Sequence, residues 1–391
     1  VPDGADCPRF SPDGRSIAFW DSIEGGTAVS VIDRQGGAKR VVSSGWANIM
    51  GTPCWRPDGR EIWLTASEHG EGEPVALWAV ETGKRRLLMR VPGSLELDDV
   101  SRDGRVLLAH HTLTRQVRVA SAGEPKEREL SWLDASYVSD LSPDGKTLLL
   151  VEQGEGSGGG PVSYLGATDG SPAARLGEGW ARGLSPDGRF VLSAVEHSGE
   201  PQRLTILPTG AGEPHTLAAD GLTVFHWGAW LPDGKRVVFT GIGADGISRV
   251  YVQGVPDGKP RAIGPERTRI LPFSSAVSPD GKYVVTLRSG AVFLQPTDGG
   301  EARAIPGLSD PSDRALQWTA DGRSLYVYSP RESRSKVWLV DVETGRKNLW
   351  KEIPIDEELS GVQMRVTPDG QTWVYSGQKL LSELYVVEGL R

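Results

Sequence analysis

An all-β repeat fold is what this chain predicts, on three observations. One turn phrase recurs along its whole length, 50 glycines and 27 prolines punctuate it, and the runs between them are short and apolar. The phrase stands first at Ser11-Pro12-Asp13-Gly14 and last at Thr367-Pro368-Asp369-Gly370. Its aspartates, Asp13, Asp58, Asp103, Asp144, Asp187, Asp233, Asp280, Asp321 and Asp369, follow one another at intervals of 41 to 48 residues. Nine copies at one period make this a repeat protein, which overrides the two-domain expectation that 391 residues would otherwise carry.

Every copy has the same local logic. An apolar residue such as Phe10, Trp55 or Leu184 stands three before the aspartate, and another, such as Ile17, Ile62 or Val237, four after it. Proline at the second turn position has its φ preset, aspartate tolerates the third, and glycine supplies the positive φ that closes a short antiparallel hairpin. Arg102 and Ala320 replace the proline and leave the glycine in place, so the hairpin is expected there too. Turn formation accounts for these aspartates without a ligand.

A second turn follows in each unit, marked by Gly36, Gly83, Gly123, Gly170, Gly210, Gly258, Gly299, Gly345 and Gly389, after β-rich runs such as Val75 to Val80 or Val337 to Val342. The unit therefore reads strand, aspartate turn, strand, variable loop, strand, glycine turn, strand, which is a four-stranded antiparallel meander. So small a sheet cannot bury both faces alone, and stacking such sheets radially about an axis solves the problem. The expectation is one β-propeller domain over residues 1–391, with nine blades, or eight as the alternative. The ninth should have a third strand from Glu383 to Val387 and lack its outer one, since the chain stops at Arg391. The opening at Val1 reads as a piece of a longer protein, whose preceding segment would complete that last sheet.

Composition narrows the partners. Thirteen tryptophans against three methionines point to flat side chains packed between layers. A formal net charge of −8 and an isoelectric point near 5.4 argue against a phosphate-backbone binder, so no nucleic acid is expected. No stretch approaches the roughly 20 apolar residues of a membrane-spanning helix, so no membrane insertion is expected within this chain. Cys7 and Cys54 occupy non-equivalent positions of neighbouring repeats and are expected to be free, packed thiols, with a disulfide as the alternative.

With the repeats placed, the chain resembles the TolB-type propeller repeats, most closely at Arg9-Phe10-Ser11-Pro12-Asp13-Gly14-Arg15 and Trp230-Leu231-Pro232-Asp233-Gly234-Lys235. A narrower resemblance, to the propellers that follow the membrane segment of bacterial receptor-type serine/threonine protein kinases, rests on three stretches. They are Glu129 to Asp134, Leu207 to Pro214, and the ending Leu381 to Arg391. That resemblance implies an extracytoplasmic, non-catalytic module whose kinase domain lies outside this chain. It supplies no ligand.

Catalytic signatures are missing from the sequence. The glycine patterns at Gly154, Gly156, Gly159 and at Gly241, Gly243, Gly246 fall in variable loops, where no helix follows to hold phosphate. There is no GxSxG elbow, and none of His69, His110, His111, His197, His215 and His226 stands at metal spacing from another. Acidic clusters such as Asp98-Asp99 lack the alternating ligands of a calcium loop. No metal, no cofactor and no catalytic residue is expected.

A binding site is expected instead at the mouth of the central channel. Seven residues before the marker aspartates stand Tyr137, Trp180, His226, Phe273 and Arg314, with Arg182 and Trp227 close by. Aromatic and arginine side chains on an open rim suit capture of a peptide, a protein or a small ligand, unless they pack between blades. The expected function is thus a recognition or scaffold propeller, sensor-side and not an enzyme. The alternatives are a lyase or hydrolase working inside the channel, or a purely structural adaptor.

Overall fold

The computed structural model describes residues 5–23, 26–68, 74–124, 126–131, 135–153, 157, 160–195, 202–271, 277–308, 310, 312–330, 336–356 and 358–390. All nine marker glycines have positive φ, between 64° and 86°. The turn at Asp187 shows why the phrase works. Gly188 N–H donates to the Ser185 carbonyl at 2.8 Å, the Ser185 hydroxyl donates to Asp187 Oδ1 at 2.6 Å, and that same oxygen accepts from Arg189 N–H at 3.1 Å. The aspartate is consumed by its own turn, as turn chemistry requires. Neighbouring donors hold the Asp187 carboxyl below its ordinary range, with the Ser185 hydroxyl the largest cause.

Among the described residues the nine hairpins build eight antiparallel sheets, not nine. Seven have four strands in sequence order, and we number them by their first strands: sheet 1 (Ala5–Phe10), sheet 2 (Ile49–Trp55), sheet 4 (Ser136–Leu141), sheet 5 (Trp180–Leu184), sheet 6 (Leu222–Trp230), sheet 7 (Arg269–Ile270) and sheet 8 (Arg314–Trp318). Sheet 3 is different. Its order is Arg128–Glu129, Val106–Ser121, Thr372–Val387, Ser360–Val366, and Ser94–Val100 also pairs with Val106–Ser121. The third and ninth repeats therefore share one sheet. The expected third strand of the ninth repeat is no separate strand, because Thr372–Val387 runs 16 residues without a turn, as does Val106–Ser121.

The chain forms two compact units, residues 1–114 with 380–391, and residues 115–379. Each long strand is divided between them: residues 106–114 and 380–387 belong to the first, 115–121 and 372–379 to the second.

In the first unit, sheets 1 and 2 share a core of Ala18, Trp20, Val29, Ile62, Leu64 and Trp78. Sheet 2 also packs through Cys54, Trp63 and Leu77 on Leu95, Leu97, Val106 and Leu108. Gly51 lies against the next layer, where a Cβ would run into the Leu97 carbonyl oxygen. Neither cysteine is bonded to the other. Cys54 is buried as expected and Cys7 is exposed, not packed.

In the second unit, six sheets close on themselves. Leu149 and Val151 of sheet 4 pack on Val191 and Leu207 of sheet 5, and Leu192 and Ile206 of sheet 5 on Phe225 and Phe239 of sheet 6. Sheet 6 packs on sheet 7 through Val238 and Val284, and sheet 7 on sheet 8 through Val285 and Trp318. Sheet 8 meets sheet 3 through Tyr326 and Trp373, and sheet 3 returns to sheet 4 through Val119, Val374 and Leu148. The ring is fastened inside sheet 3, where strands from the two ends of the unit lie side by side. There Ala122 N–H donates to the Gln371 carbonyl at 2.7 Å. This is a six-bladed β-propeller.

Candidate functional site

The first strands of sheets 4 to 8, and Ser360–Val366 of sheet 3, lie innermost in the ring. Those of sheets 4 and 5, 5 and 6, and 6 and 7 touch, as do those of sheet 8 and sheet 3, and of sheet 3 and sheet 4. Side chains on these strands alternate between the inter-sheet cores and the axis. Ala181, Phe225 and Ala315 are buried in the cores, while Arg182, His226, Trp227 and Arg314 keep solvent access.

Two levels of polar side chains stand along the axis. The deeper one lies four residues before the marker aspartates, at Asp140, Gln317 and Arg365. The Asp140 carboxylate accepts from Leu141 N–H and from Leu184 N–H on the next strand, both at 2.9 Å. Burial raises its pKa, and the charge of Arg365 opposes that rise. Arg365 is itself buried, its pKa lowered by burial and raised by Asp140. Two opposite charges thus answer each other across adjacent inner strands.

The outer level is richer in cations. Arg115 stacks 3.4 Å over the Tyr137 ring, and Tyr137 meets Trp180 edge-on at 5.8 Å. The Arg182 guanidinium lies 4.8 Å over Trp227. Protein encloses Arg182 and pushes its pKa down to about 10, yet the side chain keeps part of its surface exposed, as a group lining a narrow channel does. Arg115 is likewise pushed down to about 10 by burial, against the pull of Glu152. His226 is held below its ordinary pKa by burial first, then by Arg182 and Arg269. Arg314 is lowered by burial, with Asp313 and Asp310 opposing. Its Nη1 donates to the Ser312 carbonyl at 2.8 Å.

Tyr137, Trp180, Arg182, His226, Trp227 and Arg314 therefore stand on the inner strands of sheets 4, 5, 6 and 8. Phe273, His69, His197 and the glycines at 154, 156 and 159 lie outside the described residues. Arg115, Asp140, Arg269 and Arg365 join the lining without having been singled out by sequence. Away from the channel, a cavity of about 420 Å³ between sheets 7 and 8 is lined by Asp280, Tyr283, Arg303, Trp318, Asp321 and Glu343. Its acids are already engaged: Asp280 and Asp321 cap their own turns, and Glu343 pairs with Arg303 at 2.6 Å. Among the described residues, no group of three His, Cys, Asp or Glu side chains could hold a metal ion, and no helix is long and apolar enough to cross a membrane.

No family model matches the chain. The uncharacterized peptidase YuxL of Bacillus subtilis is 31% identical over 143 residues, covering 36% of this chain and 21% of its own length. The uncharacterized protein Atu1656 of Agrobacterium fabrum is 26% identical over 231 residues, covering 52% of this chain and 72% of its own. The chain thus spans only about a fifth of the Bacillus relative. Among solved structures, a TolB homologue from Agrobacterium tumefaciens gives a TM-score of 0.48 at 19% identity, covering 68% of this chain and 98% of that one. An oligogalacturonate lyase in complex with manganese gives 0.42 at 15% identity, covering 72% and 77%.

This chain is a β-propeller protein distantly similar to TolB-like propellers. The expectation that it is not an enzyme is corrected by the Bacillus relative, which is described as a peptidase. None of these matches ties it to a receptor-type serine/threonine kinase.

Proposed function

We propose that the six-bladed unit is the substrate-handling part of a hydrolase or lyase, with its site in the outer level of the central channel. One observation carries this reading: His226, which keeps solvent access on an inner strand, is favoured in its neutral form by partial burial first and then by the charges of Arg182 and Arg269. A neutral imidazole at neutral pH accepts a proton, and guanidinium groups beside it stabilise the negative charge that proton removal leaves on a substrate. Arg182 and Arg269 are the two cations in that position. The peptidase description of the Bacillus relative supports the hydrolytic form of the proposal. An extracytoplasmic location belongs to the same proposal, on the strength of the resemblance to TolB-type propellers.

The test is turnover. The full chain is assayed against carboxylate-bearing oligosaccharides and short peptides, beside the variant His226→Asn. Turnover of one class by the unaltered protein, with kcat reduced about 100-fold in the variant and KM little changed, is the expected result. Failure to turn over any member of either class, or equal rates for the two proteins, overturns it.

A further inference from the structure

We infer that the outer level of the channel is an oxyanion site, with Arg182 as its anchor and Arg115, Arg269 and Arg314 around it. The inference deepens the enzyme reading above by naming the chemistry of what would enter the channel.

Arg182 is the centre of the argument. Its guanidinium is enclosed, and its buried Nε makes no hydrogen bond. Among the described residues burial alone governs its pKa, with no acid opposing the shift. Enclosed charges are ordinarily paired, because an unpaired one bears the full loss of hydration. Elsewhere in the ring that rule is kept. Arg365, enclosed one level deeper, is answered by Asp140. The charges coupled along this arc are of one sign: Arg182 and Arg269 both act on His226, and Arg269 acts in turn on Arg314. Cationic or potentially cationic side chains thus run along the inner strands of sheets 5, 6, 7 and 8.

The acids that face this arc are already committed. Asp310 and Asp313 stand beside Arg314. Glu152, which faces Arg115, accepts from Ala135 N–H at 2.9 Å and from the buried Ser136 hydroxyl at 2.8 Å. An incoming anion would supply the missing partner, and a guanidinium presents a fork of donors that fits two oxygens of a carboxylate or phosphate. Tyr137, Trp180 and Trp227 are partly buried against the inter-sheet cores, and Arg182 already lies over the Trp227 ring, so the cations and not the rings are expected to hold the oxyanion.

Calorimetric titration of the full chain with citrate and, separately, with pyrophosphate tests the inference, at low and at high sodium chloride. Binding of either probe at one site per chain, weakening as salt rises, is expected. Citrate alone would mark the site as one for carboxylates, and pyrophosphate alone as one for phosphates. Arg182→Met is expected to weaken binding about tenfold or more, with Arg182→Lys between it and the unaltered protein. Arg269→Gln alters an exposed residue, and should weaken binding about threefold through lost charge alone. Undiminished affinity in both Arg182→Met and Arg269→Gln, or no binding of either probe, overturns the inference. His226→Asn separates the two proposals: bound citrate without turnover keeps the oxyanion site whatever becomes of the reaction.

Discussion

His111 and His226 belong to different units of the molecule, and their surroundings are opposite in sign. In the first unit, His111 Nε2 lies 2.8 Å from Glu96 Oε2 and its Nδ1 lies 2.8 Å from the Ser382 hydroxyl. Its neighbour His110 is 2.7 Å from the Pro92 carbonyl and 4.0 Å from Glu383. Both rings are occupied in tying strands together. In the second unit, His226 faces arginines and is open to solvent. The difference teaches that an imidazole's role follows from the charge around it. A carboxylate and a hydroxyl on its two ring nitrogens make His111 a structural tie, and cations beside His226 favour its neutral form.

Variants should widen or close that contrast. The largest effect is expected one level below His226, where Arg365→Met would leave Asp140 enclosed without its cation. Breaking a buried pair from one side costs about 3 kcal/mol or more, read as a lower midpoint in urea unfolding. The double variant with Asp140→Leu should recover most of that loss, and no recovery would show that the two charges do not act as a pair. Next comes His111→Ala, which removes two contacts and should cost about 1–2 kcal/mol. His226→Ala should stay within about 0.5 kcal/mol of the unaltered protein. Equal losses for the two histidines would erase the contrast.

Smaller again is Gly188→Ala. Its φ is +70° with nothing within 4 Å of an added Cβ, so backbone strain alone should cost about 1 kcal/mol. Smallest in energy, but most direct, is the titration of His226 followed by NMR. An unfolded histidine takes up its proton near pH 6.5, and His226 in the ring does so only at lower pH. The unfolded chain therefore holds more protons across that interval, and this group's contribution to stability declines as pH falls from about 6.5 through the folded midpoint. Arg182→Gln should raise the midpoint toward the ordinary value. An unmoved midpoint would separate His226 from Arg182.

How much of this was legible depended on what repeats and what does not. The aspartate turns were fully readable, since proline, aspartate and glycine state their φ angles in their identities. The count of sheets was not, because it depends on which strands find each other across long separations. Yet a local signal existed. Residues 106–121 contain no glycine or proline, and residues 372–387 contain only Gly377. A variable loop was expected in both places, where strongly β-forming runs without turn residues simply continue. At the site, aligning the repeats located Tyr137, Trp180, His226 and Arg314. It passed over Asp140 and Arg365, although charges stand there where other repeats place Gly183 and Ala229. Arg269 falls eleven residues before its marker, off the aligned frame, so only coordinates could bring it beside His226.

The fastening of the ring within sheet 3 bears on how the protein is made. Val106–Ser121 leaves the ribosome ahead of the 250 residues numbered 122 to 371, and only then does Thr372–Val387 emerge to meet it. Throughout that delay an unpaired strand edge is open to any other nascent or misfolded chain. Slow translation of the five intervening sheets, or crowding of chains on one message, should therefore favour joining between molecules at that edge, and a chaperone acting on this protein would find its task there.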